Sequence, residues 1–184
     1  MVYTARHYLT FISSKLGVSE LSAELSLNNL PRRNGPRPGT TPSNPHTQLE
    51  QIAPVDLQDR ARDYALSLSG VRRGPSRVSV PGAIAFYMDS PAAERRIPDI
   101  LGGEWGHIHP HSDGSFHLNL PTKVAELLID AGWAEYHTLV GKGMLPPIVV
   151  MVYGPRDEDE LSVVKLAIDE SYKAAGGVLP ATTD

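Results

Sequence analysis

The sequence predicts an α+β domain, with helices packed on one face of a mainly antiparallel sheet. Three observations carry this. Residues 104–120 alternate polar and apolar side chains about a turn, the pattern of a hairpin. Apolar stripes with a helical period recur at 56–69, 121–132 and 157–176. Ile148 to Tyr153 is an unbroken apolar run, as expected of a central strand buried on both faces.

The elements follow in order. Residues 1–30 form an N-terminal helical segment. Within it, residues 3–16 place Tyr8, Leu9, Phe11, Ile12 and Leu16 on one side, suited to docking on the domain or lying on a membrane surface. Residues 31–48 read as a Pro-rich linker, because Pro31, Pro36, Pro38, Pro42 and Pro45 forbid regular structure. Its Arg32, Arg33 and Arg37 read as solubilising charge. The domain proper spans residues 49–176, and residues 177–184 are a loose tail.

Inside the domain, Asp56 caps a helix to Ser69 with Leu57, Ala61, Tyr64, Ala65 and Leu68 as its stripe, ended by Gly70. Arg77 to Met88 reads as two strands about Pro81-Gly82, and residues 89–103 as a connection with a helical turn near Pro91 to Arg96. Pro121 suits the first turn of a helix whose core face is Val124, Leu127, Leu128 and Ala131. Trp133 to Val140 reads as a strand and Gly141-Lys142-Gly143 as a loop. The last helix starts near Asp157, where four acidic residues meet the positive end of the helix dipole. Leu161, Val164, Ile168 and Tyr172 face inward.

The stretch E-W-G-H-I-H-P-H-S-D-G-S-F-H, from Glu104 to His117, holds four of the seven histidines. A three-residue loop Ser112-Asp113-Gly114, with Gly114 left-handed, pairs His109 with His117 and His111 with Ser115. One face then carries His107, His109, His111, Ser115, His117 and Asn119. The other carries Ile108, Pro110, Phe116, Leu118 and Leu120. A two-residue loop would put His117 on the opposite face and mix the two sets. Four imidazoles on one patch can bind a metal, shuttle protons or hold an anion. Simple alternation sets Glu104 on the face opposite His107, unless the chain bends near Gly102, Gly103 or Gly106.

Composition narrows the classes. The chain has 184 residues, a net charge of −4 and no cysteine. Nothing here calls for nucleic acid, and thiolate nucleophiles, disulfides and zinc–thiolate sites are excluded. No apolar run reaches the ~18 residues that span a bilayer, and no secretion signal is recognised. The expectation is a soluble, cytoplasmic protein, peripheral at a membrane only through its N-terminal segment. A homodimer is left open.

The segments around these residues resemble the fungal luciferase family and its non-luminous relatives. Glu104, His107, His109, Asp113, Ser115, His117, Gly132, Trp133, His137, Gly141, Tyr153, Pro155 and Arg156 match its ordered pattern, densest from Glu104 to Tyr172. Ala134 and Val140 depart from it. The resemblance implies an oxygenase that oxidises a 3-hydroxy-pyrone such as 3-hydroxyhispidin with molecular oxygen. Carbon dioxide and an excited product are released, with no flavin or nucleotide. It implies His107, His109, His117, His137 and Arg156 as catalytic candidates, imidazole as base and Arg156 for the anion. Glu104, His111, Asp113, Ser115, Trp133 and Tyr153 are the candidates for holding a flat aromatic or pyrone-like substrate. A metal site from His107, His109 and His117 with Glu104 or Asp113 is the further candidate. A histidine-dependent hydrolase and a non-enzymatic small-molecule or metal-binding domain are the rival classes.

Overall fold

A computed structural model describes residues 25–89, 95, 97–100 and 102–180. The helix expected at residues 3–16 lies outside them, as does most of the turn expected near Pro91. Three helices and six strands are described. They are α1 (Val55–Ser67), β1 (Val71–Pro75), β2 (Ile84–Met88), β3 (Glu104–Ile108), β4 (Phe116–Asn119), α2 (Thr122–Asp130), β5 (Ala134–Tyr136), β6 (Val149–Val152) and α3 (Glu158–Ala174). The strands form one antiparallel sheet in the order β1-β2-β3-β4-β6-β5. This is the α+β architecture expected.

Register sorts every strand residue onto one of two faces. Phe86, Gly106, Leu118, Val150 and Tyr136 lie in one row across β2, β3, β4, β6 and β5. Ile84, Ile108, Phe116, Val152 and Ala134 lie in the next. This face meets α1 and α3, whose Leu57, Ala61, Ala65, Leu161, Val164 and Ile168 close the core with Trp105 and Tyr172. Each large side chain buried here stabilises the fold by roughly 1.5–3 kcal/mol. Asp157 caps α3 by accepting from the Glu160 N–H at 2.9 Å, worth about 0.5–2 kcal/mol.

The opposite face carries the row Ala85, His107, His117, Met151 and Glu135. The expected pairing of His109 with His117 is corrected: His107 opposes His117, and the His109 N–H donates to Ser115 O at 2.9 Å. The loop is longer by two residues, because Pro110 has no N–H to extend the ladder. Its carbonyl instead accepts from both Asp113 and Gly114 N–H at 2.9 Å. A slip of two preserves the faces, so His107, His109, Ser115, His117 and Asn119 still share one, while His111 leaves it. Gly114 has φ 67, the left-handed turn expected.

Two other elements differ from expectation. The first strand is Val71–Pro75, not a strand starting at Arg77; as an edge strand it has one neighbour and little need of apolar alternation. The strand from Trp133 stops at Tyr136 and turns at His137. Residues 31–48 contain no helix or strand beyond a single bridge of Thr40 with Gln48. They are irregular, as expected, yet they are not a free tether. Arg33, Pro38, His46 and Gln48 are buried, and the segment lies as a strap over the polar face of the sheet. Gln48 fastens it: its Oε1 accepts from Gly154 N–H at 3.0 Å, and its Nε2 donates to Glu50 O and Gln51 O.

Replacing Gln48 with Ala should therefore strand a buried backbone donor, at a cost of about 1–3 kcal/mol. In a chain of this size that is a fall in melting temperature of about 3–10 °C. A melting curve unchanged in Gln48→Ala would show that the strap contributes nothing to stability.

Candidate active site

The polar face is a floor of imidazoles. His107, His109 and His117 come from β3, β4 and the β3–β4 loop, His137 from the turn after β5, and His46 from the strap. All five are buried. They line a cavity of about 410 Å³ whose apolar walls include Val78, Val80, Ile100, Leu139, Leu145 and Val149. Ring centroids of neighbouring histidines are 4.7–5.4 Å apart.

Carboxylates hold these rings. A bulge in β3 at Trp105, opposite Phe86 and Tyr87 of β2, pairs Tyr87 with Glu104, so Trp105 turns into the core and Glu104 swings under the histidines. That is the bend Glu104 needed to join. His107 Nδ1 lies 2.9 Å from Glu104 Oε1, and Ser76, Tyr87 and the Arg77 N–H also donate to that carboxylate. Burial alone would raise the Glu104 carboxyl, but the hydrogen bonds of His107 and Ser76 outweigh it and hold it below its ordinary value. His109 Nδ1 is bonded to Asp113 Oδ2, and Asp113 likewise titrates low despite its burial. His46 Nε2 lies 2.7 Å from Glu135 Oε1, and Tyr153 and Thr40 also donate to Glu135. Glu135, too, is held low by these bonds against its burial.

Burial acts in the other direction on the imidazoles. It drives His117 well below the ordinary range, helped by repulsion from His107 and His109. It also lowers His107, against the pull of Glu104. His137 falls from 6.5 to about 4, through burial and the neighbouring His46.

The donor count of this network does not close. Each ionised carboxylate takes an N–H from its histidine, which leaves lone pairs on His107 Nε2, His109 Nε2 and His46 Nδ1. His117 sits between two of them, with Nδ1 3.1 Å from His107 Nε2 and Nε2 3.4 Å from His46 Nδ1. A neutral imidazole has one N–H. Whichever neighbour receives it, two lone pairs face each other at the other contact. With all rings neutral, one of the two contacts of His117 has no proton to share, and a proton, an ion or a ligand donor there would complete it.

The remaining candidates separate. Ser115 lies beneath His109, its Oγ 3.4 Å from Nδ1. His111 is exposed and bonded to Asp59, away from the cavity. Trp133 is core, its Nε1 donating to Pro31 O. Tyr153 stands behind Glu135. Arg156 does not face the cavity: its guanidinium is pinned by Glu160, Gln51 and Asn34 O. This corrects its expected place beside a substrate anion. His46 and Glu135 are site residues that sequence reasoning did not find. Both lie far along the chain from the hairpin, and His46 sits in a stretch without periodicity.

The lowered histidines fix a pH dependence. Their folded forms bind fewer protons than the unfolded chain, so stability is full above the unfolded value of 6.5 and falls as pH drops toward about 4. The low carboxylates lose their contribution in the same direction at lower pH. Melting temperature should thus be level above neutral pH and decline from about pH 6.5, with a shallower decline in His137→Gln. A profile flat down to pH 4.5 would contradict the burial of these rings in neutral form.

Comparison with known proteins agrees with the hairpin's pattern. A Luciferase domain model matches residues 102–170. The luciferases of Armillaria gallica and Armillaria ostoyae are 31% and 32% identical over 165 residues, covering 79% of this chain and 60% of theirs. That of Neonothopanus nambi is 31% identical over 70 residues, 37% of this chain and 26% of its own. The chain therefore spans about 60% of the length of the Armillaria relatives it matches. No solved structure matches it. Residues 102–170 thus match a Luciferase domain, and the chain is similar to fungal luciferases over most of its length.

Proposed function

We propose that the cavity binds an acidic hydroxy-pyrone, of the 3-hydroxyhispidin type, as its enolate and oxidises it with molecular oxygen, with release of carbon dioxide. One observation carries this reading: a half-enclosed, imidazole-floored cavity in which buried histidines stand with ring nitrogens available to take the enol proton. An enolate oxygen needs positive charge and N–H donors in a dry site. His137 supplies a donor. Its Nδ1 accepts from the Leu139 N–H at 3.1 Å, so its own proton sits on Nε2. The Ser79 hydroxyl lines the cavity, buried and without a hydrogen-bond partner, and is free to meet a ligand oxygen.

The aliphatic walls suit the flat ring and exclude water from the oxygen adduct. In the reaction the enolate carbon supplies the electron pair and dioxygen takes it. The enol proton has passed to an imidazole nitrogen. Once the C–O bond to dioxygen has formed, the peroxide O–O bond and the bond from that carbon to the lactone carbonyl break. The carbonyl carbon leaves as carbon dioxide, and dioxygen is the oxidant, so no external reductant is needed. The names of the relatives support the same chemistry.

The test is oxygen uptake and light emission with a 3-hydroxy-pyrone. His117→Ala should reduce turnover by about 100-fold or more, while Arg156→Ala, outside the cavity, should stay within a few-fold per folded molecule. Full turnover by His117→Ala would overturn the proposal. So would a wild-type protein that neither binds nor oxidises such a compound.

A further inference from the structure

Three imidazoles converge with their lone pairs free once His117 gives its N–H to His46. One ring nitrogen from each of His107, His109 and His117 lies within 4.8 Å of the others, and with the Nδ1 atoms of His107 and His109 taken by Glu104 and Asp113, their Nε2 atoms are the ones left to ligate. Each is braced from behind. Glu104 holds His107, Asp113 holds His109, and Glu135 holds His117 through His46. Carboxylates behind histidines are what orient imidazole ligands in metal sites and fix their tautomers. A tetrahedral ion with bonds of about 2.0–2.1 Å sets ligand nitrogens roughly 3.3 Å apart, and His107 Nε2 to His117 Nδ1 is 3.1 Å.

We propose that His107, His109 and His117 bind one divalent first-row transition metal ion at the cavity floor. The ion brings positive charge to the converging lone pairs, and at one remove it faces the buried Glu104 and Asp113 and the half-buried Glu135. A second triplet, His46, His117 and His137, also lies within reach of a common ion. It is less suited, because the Leu139 N–H keeps the His137 proton on Nε2, the nitrogen that would have to ligate. Three protein ligands leave a coordination position open toward the cavity, where an anionic oxygen can bind.

The experiment uses untagged protein stripped with a chelator and titrated with Co(II) in the absence of any substrate. The expected result is one ion per chain, visible d–d absorption and a raised melting temperature. His109→Ala and His117→Ala should lose all three signals, while exposed His111→Ala should keep them. Asp113→Asn leaves the ligand in place and should weaken binding by about 10–100-fold, so the proposal stays testable even if an alanine variant misfolds. Uptake below stoichiometry in the wild type would overturn the site, as would undiminished uptake in His109→Ala or Asp113→Asn. Pyrone turnover is measured separately, so either result can fail without the other.

Discussion

A sheet with helices on one face and buried imidazoles on the other has to satisfy its polar atoms without water. Three carboxylates meet that constraint, and the rest of the site depends on them. An unpaired buried polar group costs several kcal/mol, and an unpaired buried charge costs more. Glu104, Asp113 and Glu135 are therefore each surrounded by donors, and each passes direction to a histidine by accepting its N–H. Ionised acids lock the tautomers, and the tautomers decide which nitrogens face the cavity.

The core face makes this arrangement rigid. Beside Trp105, Gly106 lets β3 lie close against β4. A Cβ at Gly106 would stand 2.6 Å from Leu118 Cδ2 and 3.0 Å from the His117 carbonyl. The bulge that buries Trp105 is the same one that brings Glu104 beneath His107, so core packing and site geometry are one structural choice. The strap adds the third carboxylate contact. Without His46 the pairing of His117 with Glu135 has no intermediary, which ties a stretch 71 residues upstream to the hairpin.

How much of this was legible follows from distance along the chain. A period of two places His107, His109 and His117 on one face, and any even slip in register preserves that. The pairing itself was off by two, since the effect of Pro110 on loop length is not a matter of alternation. Glu104 needed a bulge that three nearby glycines allow but do not dictate. His46 and Glu135 meet across 89 residues, one from a proline-rich stretch and one from a strand of three residues, and no local pattern announces such a contact. Arg156 matched the family pattern, yet its partner lies four residues away on the same helix start. Local charge pairing claimed it.

The two sides of the cavity divide the work of recognition. The floor is polar, with imidazole nitrogens toward the cavity and carboxylates behind them. Apart from Val149 at the start of β6, the walls come from loops: Val78 and Val80 before β2, Ile100 before β3, and Leu139 and Leu145 between β5 and β6. Loop residues can change without disturbing the sheet that fixes the histidines. On the proposed reading, the chemistry belongs to the hairpin, the strap and Glu135, and the choice of substrate to the aliphatic rim.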